Sequence, residues 1–195
     1  MRVKLVNYCR ALARIIASRR ALLFGDFILS SGIKSKYYLD LRKLLGDPES
    51  FKTTIDILAQ KALEYYGSFD VVVGVATAGI PWASGLALKL GKGLAYVRSE
   101  VKGHGVETLV EGLPFHGDCI VVDDVATTGA SIERVVLAVK PYCNVKGALV
   151  LVDRLQGARE RLERINIRLS YVVDIRGLVE CLREENIGVP DNVLS

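Results

Sequence analysis

The stretch Ile120-Val121-Val122-Asp123-Asp124-Val125-Ala126-Thr127-Thr128-Gly129-Ala130-Ser131 decides how this chain is read. An apolar, β-branched run ends in two acids, and a turn of small and hydroxyl-bearing residues follows before helical composition resumes. Strands that are apolar on both faces belong to parallel sheets covered by helices on both sides. Val71-Val72-Val73 and Ala148-Leu149-Val150-Leu151-Val152 are runs of the same kind, and residues 81–90 and 131–140 between them have helical composition. The alternation defines an α/β fold, a doubly wound, mostly parallel sheet flanked by helices. Ligands of such sheets bind beyond the carboxyl ends of the strands, where residues 123–131 fall.

Each part of this stretch has a physical job. Small residues from Ala126 to Ser131 let backbone N–H groups and hydroxyls close around a phosphate, and the helix that follows adds the positive end of its dipole. Two adjacent carboxylates would repel a bare phosphate, but they suit sugar hydroxyls or a metal-bound water. A ribose phosphate satisfies both halves. An ordinary strand end, with Thr127 or Ser131 capping the helix, would use the same residue types. The stretch lacks the Gly-Lys-Ser/Thr ending of a Walker A loop, which argues against a kinase or NTPase.

The stretch resembles the PRPP-binding motif of the type I phosphoribosyltransferases, PRPP being 5-phosphoribosyl-1-pyrophosphate. The resemblance implies the type I phosphoribosyltransferase fold with a small N-terminal hood. It also implies that Asp123 and Asp124 contact the ribose hydroxyls and take part in catalysis. Val125, Ala126, Thr127, Thr128, Gly129, Ala130 and Ser131 would hold the 5′-phosphate.

Three further segments resemble the orotate phosphoribosyltransferases. Residues 27–42, FILSSGIKSKYYLDLR, look like that family's hood. Gly74-Val75-Ala76-Thr77-Ala78-Gly79-Ile80-Pro81 resembles its pyrophosphate loop, which implies that Ala76, Thr77, Ala78 and Gly79 bind the leaving group through backbone amides. Val97-Arg98-Ser99-Glu100-Val101-Lys102-Gly103-His104-Gly105 resembles its mobile catalytic loop. There Arg98, Lys102 and His104 match the basic residues that bind PRPP and stabilise the departing pyrophosphate. Ser30, Ala78 and Ser99 stand where some relatives carry lysine. The Asp153-Arg154 pair resembles the base-binding position, implying that Arg154 and Thr127 contact orotate; a guanidinium suits bidentate recognition of an anion.

The resemblance implies transfer of the phosphoribosyl group from PRPP to orotate, with Mg²⁺ bound mainly through PRPP and no direct protein ligand to the metal. It also implies a homodimer in which the mobile loop acts in trans on the partner's site. A purine or xanthine phosphoribosyltransferase would share the PRPP loop, but would leave the hood, the Lys-Gly-His-Gly segment and Arg154 unexplained. A PRPP-sensing regulatory protein of the same fold would need an added basic reader, for which 195 residues leave little room.

Bulk properties agree. The length suits one domain over 1–195, with the hood mainly in residues 1–45 and the mobile loop at about 99–117, a Gly-rich polar interruption. Half the residues are hydrophobic, a quarter are charged, and the mean hydropathy is +0.28, as expected of a well-buried aliphatic core. The net charge of +4 is scattered without a basic run, which fits small anionic substrates and no nucleic acid. Leu5, Cys9, Leu12, Ile15 and Ile16 recur at helical spacing, while Arg10, Arg14, Arg19 and Arg20 interrupt any leader-like apolar run. No run approaches the roughly 20 apolar residues needed to cross a bilayer, so a cytoplasmic protein is expected. Cys9, Cys119, Cys143 and Cys181 form no CxxC or Cys/His cluster and read as buried thiols.

Overall fold

The computed structural model describes residues 8–28, 34–98, 109–112, 114–191 and 193. The chain divides into two compact units, one of residues 1–54 with 173–195 and one of residues 55–172.

The first unit contains helix α1 (Tyr8–Ser18), strands β1 (Leu22–Ile28) and β2 (Lys34–Leu39), a 3-10 turn (Leu41–Leu44) and helix α6 (Ile175–Glu184). The apolar stripe of α1 buries Leu12, Ala13 and Ile16, and that of α6 buries Leu178, Val179 and Leu182. Strands β1 and β2 pair antiparallel, with a register shift between Phe24 and Phe27. Leu41 and Leu44 are buried in the 3-10 turn that follows β2 and that Asp40 caps.

One expectation is overturned here. The cysteines are two disulfides rather than buried thiols: Cys9–Cys181 in the first unit and Cys119–Cys143 in the second. Their Cα atoms are 6.1 and 5.9 Å apart, within the span a disulfide bridges. Sequence separations of 172 and 24 conceal both pairings, which arise only when α1 meets α6 and when the start of one strand meets the turn before the next.

The boundary between units falls within α2 (Pro48–Tyr66) and again within β8 (Leu169–Asp174). The second unit is built on a six-stranded sheet of order β5-β4-β3-β6-β7-β8. Its strands are β3 (Val71–Val75), β4 (Gly93–Val97), β5 (Val110–Glu111), β6 (Asp118–Ala126), β7 (Asn144–Asp153) and β8. The pairs β3/β4, β3/β6 and β6/β7 are parallel, and only β5 is shown antiparallel, against β4. Helices α3 (Gly79–Leu90), α4 (Ala130–Val139) and α5 (Ala158–Glu163) connect the strands.

Strand alternation divides the core between the two faces. On one, Val71, Val73, Val75 and Val121 pack with Ile132, Val135, Val136 and Val139 of α4. On the other, Gly74 lies against Ala83 of α3 and Gly147 lies under the Tyr66 ring of α2. The Tyr66 hydroxyl donates to the Ala148 carbonyl over 2.6 Å, and burial pushes it up to about 12. The helices on both faces are those the apolar strands demand.

Three short elements were not legible beforehand. Strand β4 alternates too weakly to announce itself, and β8 and α5 follow the last recognisable segment. Strand β5 shortens the expected loop at 99–117, since Val97 pairs with Val110 and Tyr96 with Glu111. The rest of that loop, residues 99–108, lies outside the described residues.

Candidate active site

Parallel register brings four strand ends to one edge of the sheet. Val75 of β3 pairs with Val97 of β4, Gly74 with Val122 of β6, and Ala126 of β6 with Asp153 of β7. Arg98, the 76–79 turn, residues 123–131 and Arg154 therefore emerge together. The chain leaves β3 through α3 toward β4 on one side, and leaves β6 through α4 toward β7 on the other. That reversal between adjacent strands opens a crevice at their carboxyl ends, the usual ligand position in such sheets.

One wall of the crevice is the turn after β3. Ala76 and Ala78 are half-buried, Thr77 is exposed and the Ala76–Thr77 peptide is cis. A Cβ on Gly79 would lie 2.5 Å from the Val122 carbonyl oxygen and 2.9 Å from Asp123 Oδ1. The turn can thus rest against the end of β6 only because residue 79 has no side chain. Gly79 also opens α3, so the positive end of that helix faces the crevice.

The opposite wall is the end of β6. The strand continues through Ala126 instead of stopping at the acids, and successive side chains leave it on opposite faces. Asp123 is consequently buried, only 8% exposed, while Asp124 is half-buried. The Asp124 N–H donates to Asp123 Oδ1 over 2.9 Å, and the Val125 N–H donates to Asp124 Oδ1 over 2.7 Å. Burial, reinforced by the neighbouring Asp124 charge, raises the Asp123 carboxyl well above the usual carboxylate range. A carboxyl that keeps its proton can donate to a sugar oxygen as well as accept from one.

Thr127, Thr128 and Gly129 form the turn into α4. Gly129 has φ 77°, and a Cβ there would lie 2.9 Å from Ala158 Cα, so both conformation and packing require glycine. As the N-cap it offers no side-chain hydrogen bond. A Thr127 or Ser131 side chain is not the N-cap, and the exposed Thr128, Ala130 and Ser131 border the positive end of α4.

At the end of β7, Asp153 and Arg154 are 2% and 8% exposed. The Arg154 N–H donates to the Ala126 carbonyl over 2.9 Å, which places the arginine next to Thr127 in the fold. Arg98 begins where β4 ends: its N–H donates to the Leu109 carbonyl over 2.9 Å, and its Nε lies 3.1 Å from Glu111 Oε1. Thus Arg98, Ala76, Thr77, Ala78, Gly79, residues 123–131 and Arg154 are gathered at one edge. Lys102 and His104 lie outside the described residues. Among the described residues no group of three or more His, Cys, Asp or Glu side chains could hold a metal ion, and no helix is long and apolar enough to cross a membrane.

An acid pair leading into a turn of small residues at a helix N-terminus, set at a switch point of the sheet, has the chemistry that suits a phosphorylated sugar. The profile of the phosphoribosyl transferase domain matches residues 42–168, which is most of the second unit and part of the first. Orotate phosphoribosyltransferase of Aeropyrum pernix is 46% identical over 88% of this chain and 92% of its own length. The crystal structure of orotate phosphoribosyltransferase from Aeropyrum pernix superposes with a TM-score of 0.78 at 43% identity, covering 88% of this chain and 99% of that one. The Mycobacterium tuberculosis H37Rv orotate phosphoribosyltransferase in complex with PRPP superposes with a TM-score of 0.71 at 27% identity, covering 88% and 99%. The chain belongs to the orotate phosphoribosyltransferases.

Proposed function

We propose that this enzyme transfers the phosphoribosyl group from PRPP to orotate, giving orotidine 5′-monophosphate and pyrophosphate, within UMP biosynthesis. The observation that carries this reading is the crevice between β3 and β6. It sets a backbone-amide turn, an acid pair with Asp123 buried and Asp124 half-buried, an anion cradle and a buried arginine along one sheet edge. In the proposed assignment the 76–79 turn and Arg98 bind pyrophosphate, Asp123 and Asp124 bind the ribose hydroxyls, and residues 125–131 bind the 5′-phosphate. Arg154 and Thr127 bind orotate.

The C1–O bond to pyrophosphate breaks as a bond forms from C1 to the orotate ring nitrogen, through an oxocarbenium-like transition state, and the ring N–H proton passes to solvent or to the departing pyrophosphate. No protein nucleophile is required. The protein's part is to align the two reactants and to meet the charge gathering on the leaving oxygens with fixed amides and cations. Lys102 and His104 are assigned to that second task. The adjacent carboxylates of Asp123 and Asp124 suit a Mg²⁺ ion carried mainly by PRPP and water, which such an ion prefers to an all-protein cage. When bound, the ion would neutralise pyrophosphate charge.

The whole chain is taken as one catalytic domain, acting in the cytoplasm as a homodimer whose loop reaches the partner's site. The deciding experiment follows PRPP-dependent pyrophosphate release with orotate, hypoxanthine and uracil in parallel. Release with orotate alone is expected; release with hypoxanthine and not orotate would overturn the assignment.

A further inference from the structure

Asp153 has no role in the assignment above, yet it is the most deeply buried acid at the catalytic edge, 2% exposed at the last position of β7. Its Oδ1 accepts the Leu155 N–H over 2.9 Å, the side-chain-to-backbone bond of an Asx turn. Leu155, with φ 57°, adopts a left-handed conformation that a leucine rarely takes without outside support. Between the two lies Arg154, whose N–H donates to the Ala126 carbonyl at the mouth of the phosphate turn. The chain is thus held on both sides of the arginine: by the carboxylate of the residue before it and by the neighbouring strand. A buried carboxylate is costly, and a structural strand end needs none. Here it stabilises a turn that stops β7 and fixes the backbone of the buried Arg154, which is bonded to the residue before Thr127.

We propose that Asp153 is a positioning residue for orotate recognition, fixing through its Asx turn the backbone that seats Arg154 beside the ribose-phosphate loop. The proposal rests on the assignment of Arg154 to orotate. The working part of Asp153 is its acceptor oxygen. Asparagine can supply that oxygen and alanine cannot.

The test is steady-state kinetics of Asp153→Ala, Asp153→Asn, Arg154→Ala and the Asp153→Ala/Arg154→Ala double variant, each varied against orotate and against PRPP. Displacing a binding group by a fraction of an ångström to one ångström costs on the order of a hundredfold or less. Asp153→Ala should therefore raise the orotate KM about ten- to a hundredfold and leave the PRPP KM within about twofold. Asp153→Asn should stay within about threefold of wild type for both substrates, because the turn survives. The double variant should be no worse than Arg154→Ala, since a misplaced group that is absent cannot be missed twice. An unchanged orotate KM in Asp153→Ala, beside a raised one in Arg154→Ala, overturns the role of Asp153 and leaves that of Arg154 intact. An unchanged orotate KM in Arg154→Ala overturns the orotate assignment itself. Equal losses for orotate and PRPP in Asp153→Ala mark a purely structural residue and also overturn the proposal. If Asp153→Ala fails to fold, Asp153→Asn decides: a tenfold rise in its orotate KM despite the retained acceptor sinks the idea.

Discussion

The backbone N–H of Arg154 donates to the carbonyl of Ala126 over 2.9 Å, so the residue assigned to the base and the turn assigned to the ribose phosphate are tied by one hydrogen bond. Ala126 also pairs in register with Asp153. Both segments given these roles are thus carried on adjacent, paired strands, the support a precisely held site needs.

Arg154→Ala should weaken orotate binding by about 2–4 kcal/mol, because it removes a charge-assisted contact to a desolvated anion. PRPP affinity should be little changed, since the Ala126 bond uses the backbone and survives the substitution. Calorimetric titration of each ligand checks both halves; a collapse of PRPP affinity with orotate binding retained would reverse the assignment.

Asp123→Asn should separate function from stability. The folded-state carboxyl titrates above its unfolded value, so the folded state holds the proton more tightly. The native state is then penalised increasingly as pH rises from the ordinary carboxylate range through the raised value. Below the unfolded value both states are protonated and the penalty is absent. The asparagine variant should therefore melt higher than wild type at neutral pH, with an advantage that shrinks toward pH 4, while losing PRPP affinity. Melting curves across pH measure this, and a neutral-pH melting point below wild type would contradict it.

The two disulfides should contribute measurably to stability. In the loop-entropy description each bridge contributes about 2–5 kcal/mol, with more expected from the longer loop. The Cys9–Cys181 bridge closes 172 residues of sequence and Cys119–Cys143 closes 24. Cys9→Ser with Cys181→Ser should lower the melting temperature more than Cys119→Ser with Cys143→Ser. Thiol titration of the unfolded wild-type protein should find no free thiol until a reductant is added.

A loop acting in trans predicts complementation. Lys102→Ala and Asp124→Asn should each be nearly inactive as homodimers. In a mixed dimer, one site would receive both defects and the other neither, so activity should return to about half that of wild type. Coexpression with two different tags and sequential purification isolates the mixed species. If it is as inactive as either parent, the loop serves its own subunit.

The parts of the fold that could be read from the chain are those in which local composition and tertiary demand agree. Val71–Val75, Asp118–Ala126 and Asn144–Asp153 are apolar on both faces because helices cover both faces, so their composition announces their place. Gly93–Val97 and Leu169–Asp174 carry partly exposed positions and weaker patterns, and their partners were needed to define them.

By itself, the sequence determined the α/β class and the order of chemistry along the chain: acids, then small residues, then a helix, with an arginine after the next strand. These depend on residue type and spacing over a few turns, which chain composition specifies directly. Tertiary structure alone decided which acid is buried, since alternation along a strand that runs on to Ala126 gives Asp123 and Asp124 different surroundings. It also decided that Gly79 must be bare to rest on β6, that Arg154 is tied to Ala126, and that four distant cysteines pair. These three are contacts between segments far apart in sequence, and the strand register that creates them is not written in any one segment.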